Sequence, residues 1–409
     1  MVTTFIYGDQ QLCQAELGDC SRVGANDQSV QQNAAIDPVE AVRTSLAHPA
    51  GYPPLAAATV PGDHVAIALA DDVPARDQVL CGAVAGLLDA GVDPALITVV
   101  TAGKLESRDR LREQLTGIGA EGVSFERHDP DDEDQIAMIG VNIAGEPLRM
   151  NRTIAEADLV LPIAGGESDG ATDGSRFSGL YPQFSNRETI NRLRPHGVKE
   201  RAKQRSKRNA EIDDAGWKLG VGMTVRVIPG AGGTVAAVEA GDPTAVDQTT
   251  QLRARDVWET TVDRTGDLVV AAIVGDERQQ TWENLARALR AAETVLDAGG
   301  AIAVCSAIAA LPSSTFNPLR DAVDFEEVQR ELATMDADDL PTAMTLAQAL
   351  ERGPVYLRSQ LPTDVVESLG MTPFESDGEL SRLAASRGHC VLIEDAQRVA
   401  PKLASQPRR

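Results

Sequence analysis

The run HVAIALA, residues 64–70, is continuously apolar and short, the length of a strand buried on both faces. After the polar DDVPARD, the segment QVLCGAVAGLLDAG reads as a helix, and ALITVVTAG (95–103) is a second buried run that ends in glycine. Strand, helix and strand within about 40 residues specify a right-handed parallel crossover. The pattern continues with a third strand in VSFERHD, a small hairpin in IGVNIAGEPLRMN, a helix start at NRTIAEAD and another buried strand in LVLPIAGG. Upstream, DPVEAVRTSLAHP predicts a helix capped by Asp37, with Glu40 three positions on. The residues before about 38 form a polar segment.

MTVRVIPG and GTVAAVEAGDP read as the two strands of a hairpin that closes this first unit. A fresh strand starts in DLVVAAIVGD (267–276), and the stretch from QQTWENLARALRAAETVL through DAGGAIAVCSAIA predicts helix, Gly-rich turn and strand. GPVYLRS and CVLIEDAQ add two further strands, and PKLASQPRR reads as a frayed tail. The predicted fold class is α/β: two domains, each with a largely parallel sheet flanked by helices, and a ligand cleft between them. The expected division is 1–264, 265–398 and a tail at 399–409, and a chain of 409 residues is long enough for two cores.

Composition narrows the class. Aromatics are only 3%, so Ala, Val, Leu and Ile must build the cores. With 38 basic against 61 acidic residues and a formal charge of -23, non-specific binding to nucleic acid or an anionic membrane is disfavoured. No apolar run approaches the roughly 18 to 20 residues of a membrane helix, and MVTTFIYGDQ lacks a signal-peptide pattern, so a cytoplasmic protein is expected. The basic run at 199–208 has no interleaved aromatic and is read as a solvated helix or loop on the protein's own acidic face. Five cysteines are scattered without a C-x-x-C pair. Cys81, Cys305 and Cys390 lie in apolar runs as core residues, whereas Cys13 and Cys20 in the polar segment leave a disulfide open.

Standard motifs are absent. There is no P-loop; GAGGT (230–234) precedes a strand rather than a helix; DPDDED (129–134) lacks the glycine and terminal glutamate of an EF-hand; and no H-x-x-x-H spacing exists for zinc. Open parallel sheets bind ligands beyond the carboxyl ends of their strands, which here means DDVPARD, TAGKLES, RHDPDDED and GGESDGATDG.

The order of EAVRTSLAHPAGYPPL, RHDPDDEDQIAMIGVNIAGEPLRMNRTIAEADLVLPI, LYPQFSNRETI and VEAGDP, over about residues 37 to 395, resembles the nickel-pincer lactate racemases. That resemblance implies interconversion of the enantiomers of a 2-hydroxy acid. A nickel held by a modified nicotinic acid nucleotide would accept hydride, and two histidines would exchange general acid and base roles. It also implies where this chain departs. Asp71 matches, but Asp72-Val73-Pro74 stands where the family has Thr-Arg-Pro, with Arg76 the nearest cation. Gly103-Lys104-Leu105-Glu106 carries no histidine where the first catalytic one is expected. Asp169 falls near the second, and Arg176 to Ser178 near the lysine that tethers the cofactor. His196 is displaced by two from the metal-ligand position, and Arg287 replaces a lysine. His128 matches a family histidine outside the catalytic set and is read as a structural hydrogen-bonding group.

Three readings follow. In the first, a divergent member binds or acts on a small anionic ligand, with Asp71 and Asp169 as candidate catalytic groups and Asp72, Arg76, Lys104, Arg176, Ser178 and Arg287 as substrate or anion contacts. In the second, a 2-hydroxy acid racemase or epimerase still uses a nickel-pincer nucleotide without a covalent tether, and His196 or His128 reaches the metal. In the third, a non-catalytic scaffold serves binding or assembly. Loss of acid, base and tether together fits the first and third better than the second.

Overall fold

The computed structural model describes residues 2–25, 36–103, 108–166, 175–193, 202–335, 337 and 339–404. Three strands open the chain: β1 (Val2–Tyr7), β2 (Gln11–Glu16) and β3 (Asp19–Val23). The run at 64–70 becomes β4 (Val65–Leu69), buried at every position because the parallel sheet around it is covered on both faces. β4 pairs in parallel with β5 (Ile97–Thr101), which pairs with β6 (Ser124–Arg127); the antiparallel pair β7 (Ile136–Val141) and β8 (Pro147–Asn151) follows. β9 (Leu159–Gly165) then returns to the other side of β4, and β10 (Thr224–Pro229) and β11 (Val235–Gly241) complete a six-stranded sheet ordered β11-β10-β9-β4-β5-β6. Only β11 runs antiparallel to its neighbour.

Helix Pro38–Ala47 starts where Asp37 accepts from the Val39 N–H, as its sequence predicts. It packs on helix Arg76–Asp89, whose Gly82 and Gly86 approach Val39, Val42 and Leu46 too closely for a Cβ without movement. Together they cover one face of the first sheet, where Ile67, Leu69, Val99 and Leu161 are buried.

β12 (Glu259–Val262) leads into β13 (Gly266–Ala272), the centre of a second six-stranded sheet. With β14 (Leu296–Cys305), β15 (Val355–Arg358), β16 (Thr372–Pro373) and β17 (His389–Ile393) the order is β16-β15-β14-β13-β17-β3, all parallel. Alternate residues of β13 face opposite layers. Val269 and Ala271 pack beneath helices that bury Leu285, Leu289 and Leu346, and Leu268, Val270 and Ala272 face Phe5, Tyr7, Cys13 and Ala15.

Three expectations are corrected. The division 1–264 places the opening segment in the first domain, but β3 is the edge strand of the second sheet, with Cys20 opposite Cys390, and the β1–β2 hairpin covers that sheet's face. Phe5, Tyr7, Cys13 and Ala15 alternate in burial with their neighbours, but Ile6 and Leu12 stand at two of the outward positions, which blurs the period-two signal in strands only six residues long. The tail is not frayed through its start: β18 (Ala400–Leu403) pairs in parallel with β12, and Lys402 forms an ion pair with Glu259. Finally, the glycines at 299 and 300 lie inside β14 rather than in a turn, where Gly299 takes φ 76 and the register slips against β13. All five cysteines are free, and Cys13 is buried with its Sγ 3.3 Å from Asp377.

Candidate functional site

In each sheet the chain first builds outwards from a central strand and later returns to that strand's other side. Such reversals open crevices at the carboxyl ends of the strands. In the first sheet, β4 and β9 flank the reversal, and their ends deliver Asp71, Asp72, Gly165 and Gly166 to a cleft of about 300 Å³. From the second domain, the segment after β13 brings Arg278, Gln279 and Thr281, and helix Trp282–Thr294 brings Glu283, Asn284 and Arg287 from its first turns. The cleft between domains is therefore present where the sheet ends meet.

Local geometry explains why the first-domain wall is built as it is. Asp72 Oδ1 accepts from the Gly165 N–H at 2.9 Å, and a Cβ at position 165 would come within 2.8 Å of the same carboxylate. Gly179 has φ 82, and a Cβ there would lie 2.4 Å from the Ala164 Cβ, so the loop reaches the sheet end only without a side chain. That approach sets Ser178 at the cleft.

Arg226 is the cation at the cleft's floor. It lies on β10 among valines, is 6% exposed, and donates from Nη2 to the Ser178 Oγ at 3.0 Å and the Arg176 carbonyl at 3.1 Å. Burial pushes its pKa down, opposed by the Asp72 and Asp247 carboxylates, and a guanidinium stays charged in either case. Asp247, Thr250 and Gln251, on helix Pro243–Trp258, form the adjoining wall.

The expected set of anion contacts is therefore only partly assembled. Arg287 does line the cleft, 3.1 Å from Glu283 and 3.5 Å from the Asn284 Oδ1. Arg76 does not: it is 4% exposed and its Nη2 stands 3.1 Å from Asp71, behind the cleft wall. Arg176 turns to Asp213, with Nη1 3.4 Å from Oδ2, because its own N–H is anchored on the same carboxylate at 2.9 Å. Lys104, Asp169 and His196 lie outside the described residues, as do residues 199–201 of the basic run. The rest of that run opens helix Ala202–Lys218, where Lys203 and Lys207 are exposed and Arg208 is buried. Among the described lining residues, Asp71, Asp72, Asp247 and Glu283 face Arg226, Arg278 and Arg287. The site is mixed in charge rather than purely cationic.

Arg226, Arg278 and Asp247 were not anticipated. Arg226 carried a usable signal, a charge inside the buried run MTVRVIPG, since arginine is rarely enclosed without a task or a partner. Asp247 and Arg278 look like ordinary surface residues until the two domains are brought together.

His128 is buried and hydrogen-bonded within the first domain. Its Nε2 donates to the Ser185 carbonyl at 2.8 Å, the Asn151 side chain lies 3.5 Å from Nδ1, and the ring packs near Phe184. Burial lowers its pKa, so the neutral ring is favoured.

The donor chemistry can be set against a nickel-pincer nucleotide. A nickel centre of that kind would draw on an imidazole ligand, with or without an amine tether, whereas the described lining offers carboxylates, guanidiniums, amides and hydroxyls. Among the described residues no group of three or more His, Cys, Asp or Glu is placed to hold a metal ion. The described residues do not fit that group. Also among them, no helix is long and apolar enough to cross a membrane.

Residues 7–166 match the family model of the lactate racemase N-terminal domain. The whole chain is similar in fold to the lactate racemase apoprotein of Thermoanaerobacterium thermosaccharolyticum, with a TM-score of 0.75 at 15% identity, covering 98% of this chain and 100% of that one. A protein from Thermotoga maritima is also similar, with a TM-score of 0.66 at 13% identity over 91% of this chain and 100% of its own. No curated protein matches the sequence.

Proposed function

We propose, for a chain with the lactate racemase fold and a lactate racemase N-terminal domain at residues 7–166, that the interdomain cleft binds a small hydroxylated carboxylate of the 2-hydroxy acid type. The observation that carries this reading is Arg226, a guanidinium enclosed at the floor of a polar cleft beside Ser178. Burying arginine costs several kcal/mol, and its two visible hydrogen bonds leave further donors of the planar fork for a ligand carboxylate. The mixed charge supports a ligand with two kinds of group. Arg226, Arg278 and Arg287 suit an anionic end, and Asp71, Asp247 and Glu283 suit hydroxyl donors. A cleft of about 300 Å³ is at the small end of ligand sites, which suits a compact acid.

Within this reading the chain binds and orients. The Asp72 carboxylate, held by the Gly165 N–H, fixes the first-domain wall, and the first turn of helix Trp282–Thr294 adds its dipole to the opposite wall. No step is assigned to a nickel nucleotide, because the described lining does not fit it.

The test is calorimetric titration of the purified protein with lactate, malate and tartrate, with native mass spectrometry and elemental analysis of the same preparation. Saturable binding of one acid by protein of bare apoprotein mass supports the proposal. Stoichiometric nickel with a nucleotide-sized mass excess would replace it with the racemase reading. No binding of any acid would sink it.

A further inference from the structure

Two of the five free cysteines stand directly opposite each other on neighbouring strands: Cys20 on β3 and Cys390 on β17 are register partners in a parallel ladder. Register partners project to the same face of a sheet, and both side chains belong to the apolar layer beneath the β1–β2 hairpin. Polar contacts on either side of the pair hold that register. His389 bridges the seam with its Nδ1 3.1 Å from Asp19 Oδ2 and its Nε2 3.1 Å from Ser21 Oγ. Further along, Arg22 Nη2 pairs with Glu394 at 2.8 Å. The two thiols are therefore kept together without any bond between them.

The two differ in reach. Cys20 is half-buried on the edge strand, whereas Cys390 is 2% exposed. The hydrogen bond from the Cys390 thiol holds the Cys20 thiol below its ordinary range, and the same contact, with burial, keeps the proton on Cys390. The other cysteines lack this combination. Cys13 and Cys305 are wholly buried, and Cys81, in the first domain, has its thiol pushed up to about 11 by burial.

We propose that Cys20 and Cys390 form a reversible disulfide, a modification site that clasps the edge strand β3 onto the second domain's sheet. The oxidant is a small-molecule disulfide. The Cys20 thiolate attacks one of its sulfurs, forming a mixed disulfide and expelling a thiolate, which takes the proton from Cys390. The Cys390 sulfur then attacks Cys20 Sγ and expels the second half of the reagent, which takes up the proton Cys20 had lost. Two protein thiols are oxidised to one disulfide as the reagent is reduced to two thiols.

The edge position decides how tightly such a bond holds. Neighbouring strands lie about 4.8 Å apart, whereas a relaxed disulfide brings its Cβ atoms to about 3.8 Å. β3 has a neighbour on one side only, so it can move in to close that gap, at a cost in strain that makes the bond easy to reduce. The bridge is thus a switchable clasp and not a permanent staple. It joins the opening segment to the last strand of the second sheet, and so closes a loop around nearly the whole chain. The site does not depend on the reading given to the interdomain cleft.

The test is incubation of the full chain with hydroxyethyl disulfide, followed by peptide mass mapping without reduction and by thermal melting. A Cys20–Cys390 cross-linked peptide is expected, with a rise of several degrees in the melting midpoint that dithiothreitol reverses. Cys390→Ser should stop at a mixed disulfide on Cys20, and Cys20→Ser should slow reaction at Cys390 about tenfold or more. Wild-type protein that keeps the mixed disulfide on Cys20 without closing the bridge would overturn the proposal. So would a bridge formed instead between other cysteines or between two copies of the chain, no reaction at all, or a bridged protein that melts where the reduced one does.

Discussion

Replacing Arg226 by methionine separates a binding role from a structural one. Methionine keeps much of the stem's bulk and removes the charge. Two charge-assisted hydrogen bonds disappear, to the Ser178 Oγ and the Arg176 carbonyl, together worth about 3 to 6 kcal/mol at 1.5 to 3 each. Against this, the variant no longer strips a guanidinium of its water, an effective cost of several kcal/mol. The nearby carboxylates, Asp72 and Asp247, both keep contact with water and are not stranded when the cation goes. The terms nearly cancel, so the expected change in stability is within about 1 kcal/mol, or roughly 2 to 4 °C in thermal midpoint for a domain of this size. Affinity for the hydroxy acid should fall about a hundredfold or more, the value of a paired guanidinium–carboxylate contact. Thermal melting and calorimetry on the same preparation read both quantities. A loss of about 3 to 5 kcal/mol with unchanged affinity would make Arg226 a structural cation and refute the reasoning.

Further outcomes are expected. Gly179→Ala forces a side chain into φ 82 and against Ala164, and should cost about 3 kcal/mol, seen as a lowered denaturation midpoint. His128 has a folded pKa below its unfolded value of about 6.5, so the unfolded chain takes up the proton first. Its contribution is complete above that value and fades as pH falls towards the folded pKa. Denaturation midpoints at pH 7 and 5 should differ less in His128→Gln than in wild type, and an equal difference would remove His128 as the cause. Truncation after Val399 removes β18 from its pairing with β12 and should lower the melting temperature by several degrees; no change would mean that the ladder contributes nothing.

The elements flanking the cleft were legible because their strands are unbroken apolar runs, as in HVAIALA and LVLPIAGG, and their crossovers obey one handedness. The opening strands were missed because their alternation spans only a few residues and their partner, β17, is far along the chain. Site residues divided along similar lines. Asp72 sits just past a recognisable strand end and Arg287 in the early turns of a helix, and both reach the cleft; Ser178 reaches it from a loop that Gly179 seats against the sheet end. Arg76 and Arg176 look identical in sequence, yet Asp71 and Asp213 engage them elsewhere, and side-chain pairing of that kind leaves no mark on spacing. Arg278 and Asp247 become neighbours only when two sheets dock, which no local pattern encodes.

The seating of β3 beside β17 sets an order of events during synthesis. Asp19 and His389, hydrogen-bonded across these strands, are 370 residues apart. At ribosomal rates of about 5 to 20 residues per second, the opening strands wait roughly 20 to 75 s for that partner to be made. Until β13 and β14 are made, about 290 residues on, the apolar face of the β1–β2 hairpin has no sheet beneath it, while the first domain's sheet can already close. The second domain is thus begun first and finished last, with the first domain threaded between its two ends. Joining the ends and opening the chain near residue 62, a turn on the first domain's surface, would reverse that order, and the yield of folded protein would report what the delay costs.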